Sequence, residues 1–75
     1  MPRLPSLSGR DLVRALKRVG FEEVRQRGSH LALRKATSER TYKVIVPLHS
    51  SLARGTLFDI LKQAGLTPEE LRDLL

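Results

Sequence analysis

The sequence predicts an α+β fold: one helix, a three-stranded antiparallel meander, then a second helix and a further short one. Three observations predict it. Apolar residues recur at helical spacing in a segment near each end of the chain. Between those segments lie three short stretches with strand-like alternation. Tight, polar turn sequences separate the stretches, as in a meander that hides one face under helices and leaves the other open.

Residues 1–7 contain two prolines and read as an extended lead-in. Ser8 is the expected N-cap of the first helix, and Asp11, three residues on, completes a capping-box pair. Leu12, Val13, Leu16 and Val19 supply its apolar face. Lys17 and Arg18 fall in the last turn, where the helix dipole favours cations. Gly20 is the expected terminator.

Phe21 to Arg27 is the first expected strand. Gly28-Ser29 fits a two-residue hairpin loop, with glycine at the first position suiting a type II′ turn. His30 to Ala36 is the second strand, and the polar stretch "ATSERT" turns the chain again. Tyr42 to Val46 is the third strand, β-branched and closed by Pro47. After the loop "LHSSLARGT", a second helix is expected over Thr56 to Ala64, with Leu57, Ile60, Leu61 and Ala64 on one face and Gly65 ending it. Thr67-Pro68-Glu69-Glu70 is a helix start, with an N-cap, proline at N1 and glutamate at N3. Leu71, Leu74 and Leu75 form the apolar side of this last helix.

A length of 75 residues suits one domain, expected to span 1–75. A core of this size leaves a margin of only a few kcal/mol, about 3–5, so a large buried cofactor is not expected. The chain has no cysteine, which excludes disulfides and thiolate metal sites, and its two histidines show no ligand-like spacing. No cofactor and no metal are therefore expected. The N-terminal residues lack a signal-peptide apolar run, and no stretch approaches a membrane span. The expected setting is soluble and cytoplasmic, with no membrane partner.

The net charge is +6, but it is unevenly spread. Residues 1–54 carry twelve Lys/Arg against four Asp/Glu, whereas residues 55–75 carry two against four. A positive field confined to the first two thirds of the chain favours polyanions, of which nucleic acid is the commonest.

The turns fix an expected strand register. With Gly28-Ser29 as the loop, Arg27 faces His30, Gln26 faces Leu31, Arg25 faces Ala32 and Val24 faces Leu33. A second hairpin symmetric about "TSER" sets Leu31 against Val46, Ala32 against Ile45, Leu33 against Val44 and Arg34 against Lys43. Side chains alternate along strands. One face then collects Val24, Leu31, Leu33, Val44 and Val46, with Tyr42 at its edge, and forms the core. The other collects Arg25, Arg27, His30, Arg34 and Lys43. A one-residue slip would bury the cations. If the third strand ran on past Pro47, His49 would lie about 7–8 Å diagonally from His30.

Like charges set across a sheet are mildly destabilising, so their clustering points to a task. RNA carries its own nucleophile, the 2′-hydroxyl. Its cleavage needs a base, an acid and charge stabilisation at phosphorus. His30 could act as general acid or base, since imidazole titrates near 6.5. Arg25, Arg27, Arg34 and Lys43, with Ser29 of the turn, form the candidate RNA-binding set. Gly28 and His49 are possible auxiliaries. Each cation alone fits a solvated surface equally well, and His49 fits a loop-capping role. Ser29 has no Asp–His relay beside it and is not a nucleophile candidate.

The blocks "LSGRDLVRALKRVGFEEVRQRGSHLAL", "VIVPLH" and "GTLFDILKQAGL" together resemble the HicA toxin family over about Ser8 to Leu66. The resemblance implies a double-stranded-RNA-binding-domain-like α-β-β-β-α fold. It further implies a toxin of a type II toxin–antitoxin pair. Such a toxin cleaves mRNA without the ribosome, arrests growth and is neutralised by a HicB-like antitoxin. The family's catalytic histidine lies in a Gly-Ser/Thr-His motif, which is Gly28-Ser29-His30 here, so the role carries to His30. The "VPLH" block makes His49 a motif position, with no established catalytic role. The tail "TPEELRDLL" departs from the family pattern and adds a helix.

Two other readings use the same face. A non-catalytic module could hold RNA by phosphates and 2′-hydroxyls, though the chain has few aromatics and is short for a site of ~16 base pairs. A protein-interaction domain could dock an acidic partner there. The expected partners are single-stranded RNA, mRNA in particular, and the antitoxin.

Overall fold

The structure is a computed structural model and describes residues 6–75. Most of the expected lead-in over 1–7 lies outside the described residues. The element order is α1 (Gly9–Arg18), β1 (Glu22–Arg27), β2 (His30–Ala36), β3 (Thr41–Pro47), α2 (Arg54–Ala64) and α3 (Pro68–Leu74). The strands form one antiparallel sheet in the order β1-β2-β3. This is the α+β, double-stranded-RNA-binding-domain-like arrangement. Among the described residues no helix is long and apolar enough to cross a membrane.

Local chemistry sets the ends of the helices. At α1, the Ser8 hydroxyl accepts from the Asp11 amide (3.1 Å) and the Asp11 carboxylate accepts from the Ser8 amide (3.2 Å). The carboxylate also pairs with Arg14. Together these bonds hold Asp11 below its ordinary pKa of 3.8. The backbone bond from Ser8 is the main cause and the Ser8 side chain the next; desolvation opposes them, and Arg14 adds the least. Thr67 and Glu70 make the same reciprocal pair at α3, with proline in the first turn. α2 begins two residues before the expected Thr56. Its N-cap, Ala53, offers no side-chain bond, so no capping signal marks the start. The first turn closes instead through the Leu57 amide on the Ala53 carbonyl (2.9 Å).

The core is one cluster on one side of the sheet. Leu31, Leu33, Val44 and Val46 meet Leu12 and Leu16 of α1, Leu57, Ile60 and Leu61 of α2, and Leu71 of α3. α1 and α2 pack on β3, and α3 packs against both of them. Each buried Leu or Val of this kind contributes on the order of 1.5–3 kcal/mol.

The β2–β3 register is the expected one, with Leu31 opposite Val46, Ala32 opposite Ile45, Leu33 opposite Val44 and Arg34 opposite Lys43. The β1–β2 register agrees for Arg27–His30, Gln26–Leu31 and Arg25–Ala32, then breaks at a bulge. Val24 is therefore not a core residue. Glu23 stands opposite Leu33 in its place, and Val24 is 59% exposed. A bulge sets two residues against one and turns the extra side chain over, an insertion that symmetric pairing from the turn cannot contain. The exchange leaves Glu23 able to pair with Lys17 of α1. Phe21 fills the core beside β1 instead, buried and edge-on to Tyr42 (6.5 Å between centroids).

Candidate functional site

The face of the sheet turned away from the helices carries the candidate site. Position parity puts His30, Ala32 and Arg34 of β2, Lys43 and Ile45 of β3, and Arg25 and Arg27 of β1 on that face. Arg25, Arg27, His30, Ala32 and Ile45 line a groove of about 390 Å³. Arg34 and Lys43, cross-strand neighbours, line an adjoining groove of about 890 Å³ with Val24, Ala32 and Ile45, and this groove also takes in Thr56, Asp59 and Gln63 of α2. Ala32 and Ile45 belong to both, so the two grooves meet over an apolar centre.

The structure thus brings together His30, Arg25 and Arg27, and sets Arg34 and Lys43 one groove away. Among the described residues none of these four cations pairs with a carboxylate. The ion pairs are Arg14–Asp11, Lys17–Glu23 and Arg72–Asp73, all elsewhere. Glu22, opposite Arg34, is the acidic residue nearest in register. Other cations are occupied with aromatic rings: Lys35 over Phe21 (5.9 Å), Arg40 over Tyr42 (4.7 Å) and Arg54 over Phe58 (5.9 Å). The open face therefore holds cations that no internal partner uses, which suits an external anion.

The turn before His30 is built as expected. Gly28 has φ 58°, and no other residue type has positive φ among the described residues. That leaves Ser29 at negative φ and matches the type II′ pattern rather than I′. Gln26 donates to the Gly28 carbonyl (2.9 Å) and braces the turn. Ser29 takes part through its backbone: its carbonyl accepts from the Leu48 amide (2.6 Å). Its side chain lines neither groove.

His49 lies past the end of β3, as Pro47 is the last strand residue and stands opposite His30. Its ring nevertheless comes within 6.5 Å of the His30 ring, centroid to centroid, at an angle of 71°. Both histidines are exposed. No group of three or more His, Cys, Asp or Glu is placed to hold a metal ion among the described residues.

Two features of the site were missed from sequence. The apolar centre of Val24, Ala32 and Ile45 is one. Strand parity already placed Ile45 beside Lys43, so that signal was available, whereas Val24 depends on the bulge. The other is Gly9, whose amide donates to the His49 carbonyl (2.9 Å). That contact spans forty residues of sequence and has no local signature.

No curated protein matches the chain. A family model described as HicA toxin of bacterial toxin-antitoxin matches residues 9–66, from the first residue of α1 to just beyond α2. The match takes in the turn, His30, His49 and every strand, and leaves out α3. On a match over this much of its length, the chain belongs to the HicA toxin family and is the toxin member of a toxin–antitoxin system.

Proposed function

We propose that the chain is an endoribonuclease that cleaves mRNA without the ribosome and without a metal ion, as the toxin of a type II pair. The observation that carries this reading is the groove in which His30 stands beside Arg25 and Arg27 on a face with no paired carboxylate. In the proposed reaction the 2′-hydroxyl of the RNA attacks the adjacent phosphorus. His30 moves a proton to or from the reacting oxygens. Arg25 and Arg27 offset the charge that builds on the phosphorane oxygens. Arg34 and Lys43 hold a neighbouring phosphate of the strand, and the Ser29 turn borders the path. The substrate supplies the nucleophile, so the protein needs to supply only proton transfer and positive charge.

A HicB-like antitoxin completes the proposal. It would present acidic groups to Arg25, Arg27 and Lys43 and cover His30, with association slowed by salt. The setting is the cytoplasm, where mRNA is available.

The test is product chemistry. Purified protein and a long unstructured RNA, incubated in EDTA without ribosomes, should yield fragments ending in 2′,3′-cyclic phosphate and 5′-hydroxyl. Salt-sensitive binding with the RNA left intact would make the chain an RNA-binding module instead.

A further inference from the structure

We propose that His49 is the second proton-transfer group of the cleavage, paired with His30 across the scissile phosphate, an inference that rests on the ribonuclease reading above. The chemistry asks for two groups in opposite states. The O2′–P bond forms as the P–O5′ bond breaks. A neutral imidazole takes the proton of the 2′-hydroxyl. A protonated imidazole delivers one to the 5′ oxygen, which leaves as a hydroxyl. The products are a 2′,3′-cyclic phosphate and a 5′-hydroxyl end, and solvent returns both rings to their starting states. One ring cannot be both neutral base and protonated acid in the same step.

The second ring is at hand. The centroids of His30 and His49 lie 6.5 Å apart. That is too far for a direct bond between the rings, given a hydrogen-bond reach of about 2.6–3.2 Å. It leaves room for a phosphate whose opposite oxygens each ring reaches with one hydrogen bond. The His49 ring makes no hydrogen bond to the described residues, so a loop-capping role for the ring has no partner. Its backbone, in contrast, is held. The His49 carbonyl accepts from the Gly9 amide (2.9 Å) and the Leu48 amide donates to the Ser29 carbonyl (2.6 Å). The Leu52 amide donates to the Leu7 carbonyl (2.7 Å). The loop is thus tied to the first turn of α1 on one side and to the turn before His30 on the other.

Gly9 makes this possible. A Cβ there would lie 2.1 Å from the Pro47 carbonyl oxygen and 2.8 Å from Leu48 Cα. Only glycine lets the start of α1 approach the His49 segment so closely. Gly9 is accordingly a positioning residue for His49. The charged groups on the surrounding elements are Arg10, Asp11, Arg14, Lys17 and Arg18 of α1, Glu22, Glu23, Arg25 and Arg27 of β1, Arg34 and Lys35 of β2, Lys43 of β3 and Arg54 at the start of α2, with none in the loop 48–53. Asp11 is turned back onto its own cap, Glu23 pairs with Lys17, and Glu22 stands opposite Arg34, four residues along β2 from His30.

The experiment compares the full chain with His49→Gln, His49→Asn, His30→Gln and Gly9→Ala on two substrates. One is a short oligoribonucleotide. The other carries sulfur in place of the leaving 5′ oxygen, and its thiolate departs without a proton. Rates are taken across the range in which imidazole titrates, with thermal melting as the folding control. The wild type should show a bell-shaped profile. Both His49 variants should fold, lose one limb of the bell, and cleave the oxygen substrate about 100-fold or more slowly. The sulfur substrate should restore the rate of whichever histidine variant lacks the acid. Gly9→Ala should lower the rate while keeping both limbs. A wild-type rate and an intact bell in His49→Gln and His49→Asn would overturn the pairing and leave the ribonuclease reading standing. A wild type that cleaves neither substrate would overturn both.

Discussion

The Leu48 amide donates to the Ser29 carbonyl over 2.6 Å, binding the loop after β3 to the hairpin turn between β1 and β2. Through this bond the residue before His30 and the residue before His49 are fixed to one another. Hairpin geometry alone would orient only His30. The same contact makes the candidate site depend on two glycines that act differently.

Gly28→Ala should destabilise the protein by about 1–2 kcal/mol, the cost of a side chain in the left-handed region. Its φ is 58°, and a Cβ would meet nothing within 4 Å, so the loss is backbone strain without a clash. Gly9→Ala should cost more, roughly 1–3 kcal/mol or above from forced overlap with the Pro47 carbonyl. Urea unfolding of both variants checks the order.

The open-face cations should act through phosphate. In a His30→Ala background that binds without cutting, Lys43→Ala, Arg34→Ala and Arg25→Ala should each weaken binding to single-stranded RNA. Each should also reduce the slope of log K against log salt by about 0.7 per lost phosphate contact. Lys35→Ala, whose ammonium lies over the Phe21 ring, should leave that slope unchanged. Titrations at several salt concentrations measure both.

Acid should loosen the first helix. Asp11 is held below its ordinary value of 3.8, chiefly by the Ser8 backbone and then by the Ser8 hydroxyl. A carboxylate with a lowered folded pKa stabilises the fold fully above its unfolded pKa. It loses that contribution as pH falls through the folded one. Stability should therefore drop as pH falls below 3.8, and the drop should be shallower in Asp11→Asn. Melting temperature against pH, for both proteins, reads this directly.

The last helix should matter for stability although the family match ends at residue 66. Leu71 is fully buried, and Arg18 donates to the Leu74 carbonyl (3.3 Å), closing α3 onto α1. Leu71→Ala should cost about 2–5 kcal/mol, as core leucine truncations do. That is most of the margin of about 3–5 kcal/mol that a core of this size leaves. Denaturant unfolding gives the value.

Much of this was legible in the sequence because short-range signals agreed. The Ser8–Asp11 and Thr67–Glu70 pairs, the Gly28-Ser29 turn and the alternation of β2 and β3 each fixed an element locally. The two turns then give the open face its residues. Val24 failed because a bulge changes face without changing composition, and Glu23 gained a partner in Lys17 that the strand alone does not reveal. From the sequence, the approach of His49 to His30 reads as a diagonal contact along a continued strand. It arises instead from a loop held by Gly9 and Ser29. Contacts that join distant segments through backbone bonds leave no local trace.

The most direct measurement is cleavage of a long unstructured RNA, in EDTA and without ribosomes, by the wild type beside His30→Ala. The wild type should give fragments and the variant should leave the RNA intact, both proteins folded. Equal cleavage by the two would contradict the role given to His30, and intact RNA with both would contradict the ribonuclease itself.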